Sequence, residues 1–265
     1  MQNLKQKQLV MQKIEVFDFN VHLTVDGSFN DYRRNMPAKM SCWRQSKYVL
    51  PIGGNICGLK GIGGYNYEDF LKIVLEAGSR YVSTMPWSID MRPVEYDFLK
   101  KPEVVILKLH PRSLNKSIFD FDYLKILETC RLNGIAFGLC TYFGDRKLDN
   151  EEIALIRSIV KLFTKQNIVV VFFHAFGLDF KRLWCEFGDN ELVYFDTSFS
   201  IVRYRDDFTD NLMQILEVNP KNVMFGSDFP DYSLDEVFGC LPSSILGHER
   251  FLKLNAIQRF SPWKQ

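Results

Sequence analysis

The sequence predicts an α/β fold, a (β/α)8 TIM barrel with some distortion. Three observations point there. Short apolar runs alternate with helix-like segments, which argues for a mostly parallel sheet covered by helices. Several runs end abruptly on a polar or ionisable residue, as in Val223-Met-Phe-Gly-Ser-Asp-Phe-Pro230; in such folds the C-terminal strand ends hold ligands and catalytic groups. The length of 265 residues suits one barrel and is long for an ordinary domain.

In chain order, residues 1–12 are polar and form a solvated tail, and the barrel domain occupies 13–265. Residues 13–20 read as the first strand. A helix follows over 67–77, with Asn66 as N-cap and Gly78 as the C-cap signal, then a strand over 81–86. Strand 104–110, helix 120–132 and strand 135–140 come next. The amphipathic pattern of 150–166 predicts a long helix, followed by the apolar strand Ile168-Val-Val-Val-Phe-Phe-His174. The remaining elements are a strand over 192–197, a helix over 206–218, a strand over 222–227 and a closing helix over 245–260.

Seven strands are one short of a barrel, so one strand is unplaced. An open doubly wound sheet is the competitor, but the first strand runs into Asp18-Phe-Asn-Val-His22 and not into a glycine-rich turn. The segment 24–65 reads as a long connection, either a lid over the mouth or an irregular insertion. Its glycine-dense part, 52–64, matches neither phosphate-loop pattern.

The composition is 46% hydrophobic and 25% charged, which supports a large core and argues against global disorder. A net charge of +1 gives no electrostatic case for nucleic acid or an anionic membrane surface. No apolar run approaches the length of a membrane span. The six cysteines form no CxxC pair and no secreted-scaffold spacing, so a reduced, cytoplasmic setting is expected. The expected partner is a small-molecule substrate, and homo-oligomerisation is left open.

Asp18, Asn20 and His22 fall on one side of a strand, where ligand-type residues two apart can hold one metal ion. The plainer alternative is an Asp accepting backbone hydrogen bonds and a His beside a turn. His174 ends an apolar run, either satisfied within the barrel or aimed at a ligand. Lys108 and His110 share one face, with Lys108 either facing substrate or buried against a carboxylate. Cys140 ends another strand and is either a ligand or a small buried apolar residue. Asp196 and Ser198 flank Thr197 at a further strand end and are candidates for substrate or water binding.

The ordered set of Asp18-x-x-x-His22, Lys108-Leu-His-Pro111, strand-end His174 and Gly226-Ser-Asp-Phe-Pro230 resembles the amidohydrolase superfamily, over residues 14–260. The closest branch is the amidohydrolase-2 group of hydrolases and metal-dependent decarboxylases. The resemblance implies a divalent metal, zinc, held by His22, Asn20, Cys140 and Asp228. It makes His174 and Asp228 the catalytic pair, with Lys108, His110 and Ser198 toward substrate. Two positions depart from the family pattern: Asn20 stands where its first-strand Asp-x-His-x-His has a His, and Cys140 where a strand-end His is usual. A thiolate is a good zinc ligand, whereas an amide oxygen is a weak neutral one.

The activity implied is hydrolysis of a C–N or C–O bond in a small organic substrate by metal-activated water. Asp228 would take the water's proton, and His174 would polarise the substrate or protonate the leaving group. A metal-dependent decarboxylase is one alternative. A catalytically inactive barrel acting as a binding module is the other, favoured by Asn20 and Cys140.

Overall fold

Each strand is separated from the next by a connection long enough to return to the starting edge, so neighbouring strands pair in parallel. The structure, a computed structural model, describes residues 13–22, 41–58, 67–88, 91 and 93–260. Its eight strands are β1 (Ile14–His22), β2 (Val49–Cys57), β3 (Tyr81–Pro86), β4 (Val104–Leu109), β5 (Ala136–Cys140), β6 (Val170–Phe173), β7 (Val193–Asp196) and β8 (Val223–Met224). They lie side by side in sequence order. The helices are α1 (Tyr67–Ala77), α2 (Pro93–Leu99), α3 (Tyr123–Asn133), α4 (Asn150–Thr164), α5 (Phe180–Phe187), α6 (Ser200–Arg203), α7 (Arg205–Val218), α8 (Leu234–Cys240) and α9 (Asn255–Phe260).

The unplaced strand is β2, inside the segment read from sequence as an irregular connection. Its Pro51, Gly53 and Gly54 hide it, because proline and glycine usually argue against a strand interior. Here the glycines admit neighbouring backbones: a Cβ on Gly54 would lie 2.8 Å from the Asp18 carbonyl oxygen. The polar tail 1–12, residues 24–40 of the connection read as a lid or irregular insertion, the glycines of 59–64 and the Asn66 cap lie outside the described residues.

Two other expectations are corrected. The last strand extends over only Val223–Met224, because the donors beyond it go elsewhere. Phe225 N–H bonds the Phe251 carbonyl at 3.1 Å, and Ser227 N–H bonds the Asp18 carboxylate at 2.8 Å. The closing helix is broken into a 3-10 turn at Ile245–Gly247, a π-helical turn at Arg250–Leu254 and α9. Its Phe251 carbonyl takes the N–H just past β8, and Asn255 donates to the Val223 carbonyl at 2.7 Å. Among the shorter errors, α3 starts at Tyr123 because the Asp122 carboxylate caps Leu124 and Lys125 N–H.

The gap between β8 and β1 is closed by backbone bonds: Phe19 N–H to Phe225 O at 3.0 Å, Asp228 N–H to Asn20 O at 2.9 Å and His22 N–H to Phe229 O at 2.6 Å. Inside the barrel, Phe17, Phe19, Ile106, Val171, Phe173 and Met224 form an apolar core. Phe260 of α9 closes its lower end, with its ring centroid 4.9 Å from that of Phe19. Strands buried on both faces explain the near-continuous apolar runs. No helix among the described residues is long and apolar enough to cross a membrane.

Candidate active site

The three polar residues of β1 all reach the loop after β8. Asp18 is fully buried and accepts from Ser227 N–H at 2.8 Å, Ser227 Oγ at 2.6 Å and Trp43 Nε1 at 3.0 Å. Burial raises its carboxyl to about 6 against these donors. Asn20 donates through Nδ2 to Asp228 Oδ1 at 2.8 Å and to Ser198 Oγ at 2.7 Å. The amide orientation is fixed by chemistry, since an ionised carboxylate only accepts. His22 Nε2 lies 3.4 Å from the same Asp228 oxygen. Asn20 Oδ1 and His22 Nδ1 are buried without a partner among the described residues.

A second group joins the ends of β6 and β7. His174 Nδ1 lies 3.2 Å from the Ser198 carbonyl oxygen and 3.2 Å from Ser198 Oγ. A carbonyl only accepts, so Nδ1 carries the proton and Nε2 keeps a lone pair. Burial, with Lys108 and His22 adding to it, lowers His174 to about 4, so the ring is neutral at neutral pH. Ser198 Oγ donates to Asp196, whose carboxyl burial raises to about 7. Ser200 Oγ donates to the His174 carbonyl at 2.6 Å.

Strand β4 supplies the third group by alternation: Ile106 points into the apolar core, Lys108 above it, and His110 just past the strand end lines the mouth. His110 Nδ1 accepts from Ser113 N–H at 3.1 Å, which leaves Nε2–H as a donor. Burial, then Lys108, His174 and His22, hold His110 well below the ordinary imidazole range. It too is neutral.

These groups meet in a cavity of about 110 Å3 lined by His22, His110, Arg112, Cys140, His174 and Asp228, with Tyr142, Phe199, Pro230 and Asp231 completing the wall. The Arg112 guanidinium stacks 4.9 Å from the Tyr142 ring centroid. Burial opposes ionisation of Asp228, but His174, His22 and Lys108 outweigh it and hold the carboxyl well below the usual range. Burial pushes the Cys140 thiol up. His174, Phe199 and Asp228 all have left-handed backbone, at φ 68, 62 and 65°, a strain found mostly where function fixes a side chain. A larger cavity of about 570 Å3 opens at the other end of the barrel, beside Lys101, Arg131 and Arg259, away from every strand-end His.

Of the sequence-derived candidates, His22, His110, Cys140, His174 and Asp228 reach one cavity. Asn20, Ser198 and Lys108 lie beneath it, fully buried. Lys108 is not held by a carboxylate: among the described residues its Nζ has no hydrogen-bond partner. Arg112, Tyr142 and Phe199 were missed; Arg112 follows His110 by two residues, and that spacing was the one available signal.

The side chains do not fit a divalent metal as they stand. Among the described residues, no three His, Cys, Asp or Glu side chains converge on one point. Asn20 offers N–H donors, not oxygen, to the carboxylate that would hold the ion.

No family model and no curated protein matches the sequence. Solved structures do. An uncharacterised TIM-barrel protein from Bordetella bronchiseptica aligns with a TM-score of 0.67 at 14% identity, covering 93% of this chain and 98% of that one. The shared property is the TIM-barrel fold. A probable 2-pyrone-4,6-dicarboxylic acid hydrolase from Acinetobacter baumannii, with citric acid bound, gives 0.64 at 14% identity over 92% and 98%. Amidohydrolase 2 from Bifidobacterium longum subsp. infantis gives 0.59 at 15% identity over 94% and 99%. Structural neighbours of this chain thus include amidohydrolase-2 and related TIM-barrel hydrolases, at low sequence identity.

Proposed function

We propose that the barrel mouth hydrolyses an ester, lactone or amide of a small organic substrate that carries a carboxylate. The observation behind this is that three of the four histidines in the chain line one cavity together with Asp228 and Arg112. Arg112, spread on Tyr142, presents its N–H edge to a carboxylate, the planar geometry to which a guanidinium binds through two bonds. His110 Nε2–H donates to the substrate carbonyl oxygen, where negative charge develops. His174 Nε2 accepts the proton of the attacking water, and the imidazolium returns it to the leaving oxygen or nitrogen as the C–O or C–N bond breaks. Asp228 binds a proton less readily than His174, so its part is to orient that water and balance the imidazolium that forms. This gives His174 the proton-accepting role that the sequence reading assigned to Asp228, and His110 the polarising role it assigned to His174.

The names of two structural neighbours support the class. One is named a probable 2-pyrone-4,6-dicarboxylic acid hydrolase, with citric acid bound, and the other an amidohydrolase. The cavity of about 110 Å3 favours a compact substrate, well below the roughly 300 Å3 of ordinary ligand pockets. Membership of the amidohydrolase-2 family is part of this proposal. Zinc is not, because the donors present do not suit it.

The test compares mono(4-nitrophenyl) succinate with 4-nitrophenyl acetate, alongside lactones and amides of dicarboxylic acids. Carboxylated substrates should turn over faster than neutral ones, and His174→Gln should lower kcat by about 100-fold or more. No turnover above buffer across the panel would overturn the hydrolase. Carbon dioxide release without hydrolysis would shift the assignment to decarboxylation.

A further inference from the structure

Lys108 is the sole buried Lys or Arg among the described residues, at 1% exposure. Among those residues its Nζ has no hydrogen-bond partner, and it lies 4.0 Å above the centre of the Phe173 ring. Leaving an ammonium buried and unpaired costs several kcal/mol, and a cation over an aromatic face recovers about 2. The barrel is shaped to accept it even so. Gly138 stands beside Lys108 in the β4–β5 register, and a Cβ there would lie 2.8 Å from the Phe173 ring. The next inward residue of the strand is His110, in the mouth.

Strand register places the ammonium under the mouth. Lys108 pairs with Gly138, two residues before Cys140. Phe173, whose ring carries the Nζ, immediately precedes His174, and His110 follows Lys108 by two residues. Cys140, His174 and His110 all line the cavity above. Asn20 completes the arrangement by giving Asp228 an N–H where a cation would otherwise sit.

We propose that Lys108 is the resident cation of this barrel: its ammonium, backed by the Asn20 amide, takes the electrostatic place of a divalent metal and keeps metal out. It offsets the Asp228 charge and favours negative charge on the substrate oxygen held by His110. Lys108 does not line the cavity, so it acts through the field and through its neighbours as a positioning residue. This inference rests on the mouth being the catalytic site, but its test does not use catalysis. The ester panel can fail while the metal measurements succeed, and the reverse.

The test measures zinc content and zinc affinity, after zinc supplementation and desalting, for the wild type, Asn20→His, Lys108→Met and the double variant. Circular dichroism and thermal melts confirm that each is folded. The wild type and Asn20→His should carry less than about 0.1 zinc per chain. The double variant, free of the competing charge, should carry about one and bind zinc at least about tenfold more tightly than Asn20→His. Stoichiometric zinc in the wild type, or equal affinity in Asn20→His and the double variant, would overturn the proposal. Should the Lys108→Met proteins not fold, the Cε chemical shift of Lys108 in the wild type decides by NMR. An ammonium at neutral pH upholds the resident cation, and a neutral amine sinks it.

Discussion

Asp18 on β1 accepts two hydrogen bonds from Ser227 beyond β8, one from the backbone N–H at 2.8 Å and one from the hydroxyl at 2.6 Å. This clasp closes the barrel where its last strand is only two residues long, and it sets the path of the next residue, Asp228. Ser227 Oγ also accepts from Phe229 N–H at 3.0 Å. Ser227→Ala therefore strips a donor from a buried carboxyl and an acceptor from a buried N–H, at a cost of about 2 kcal/mol. Urea unfolding checks this. A change below about 0.5 kcal/mol would show that the backbone bonds alone hold the seam.

Buried acids and buried imidazoles pull stability in opposite directions as pH changes. Burial raises Asp18 to about 6 and Asp196 to about 7. Their contribution is full below the unfolded value of 3.8 and is lost as pH rises through 6 and 7. Burial lowers His174 to about 4 from 6.5, so its contribution is present above 6.5 and lost as pH falls toward 4. The groups acting on its ring are Asp228, Lys108, His22 and Ser198. His174→Gln removes the term that rises with pH. Relative to wild type, its stability should fall as pH rises from about 4.5 to 6.5, by up to about 1.4 kcal/mol per pH unit. Urea midpoints across that range test it, and parallel curves for the two proteins would count against a neutral His174.

Arg112 offers a sharper test of substrate class. A guanidinium stacked on Tyr142 binds a carboxylate through two parallel bonds that an ammonium cannot reproduce. Arg112→Lys should raise KM for a carboxylated ester by about tenfold, leave kcat within about threefold, and barely affect a neutral ester. Equal losses on both esters would mean that Arg112 shapes the mouth and does not read a carboxylate.

Much of this site was legible in the sequence because strand alternation and strand-end position are local properties. His174 follows an unbroken apolar run, and Lys108 and His110 are two apart, so their shared face needs no tertiary information. β2 was hidden because its glycines answer to the backbones of β1 and β3, a reason outside its own segment. The orientation of the Asn20 amide was equally out of reach, since it is set by Ser198 and Asp228, roughly 180 and 210 residues away in sequence. The unpaired Lys108 inverts the usual expectation for a buried lysine, and only the packed interior reveals it.

The Lys108 platform makes its own prediction, at Gly138. A Cβ there would stand 2.8 Å from Phe173 Cε2 and 2.9 Å from Ile106 Cγ2. Both neighbours are fully buried in the barrel interior, where neither ring nor methyl has space to yield. Gly138→Ala should therefore destabilise by about 1–3 kcal/mol. Gly239, in α8, is the matched control, because a Cβ there meets nothing within 4 Å. Gly239→Ala should stabilise by about 0.5–1 kcal/mol, since alanine restricts the unfolded chain and favours helix. Denaturant midpoints moving in opposite directions would show that Gly138 is required by the Phe173 ring beneath the ammonium. If both substitutions stabilise, the interior has slack at this level, and Phe173 is not fixed as the seat of Lys108.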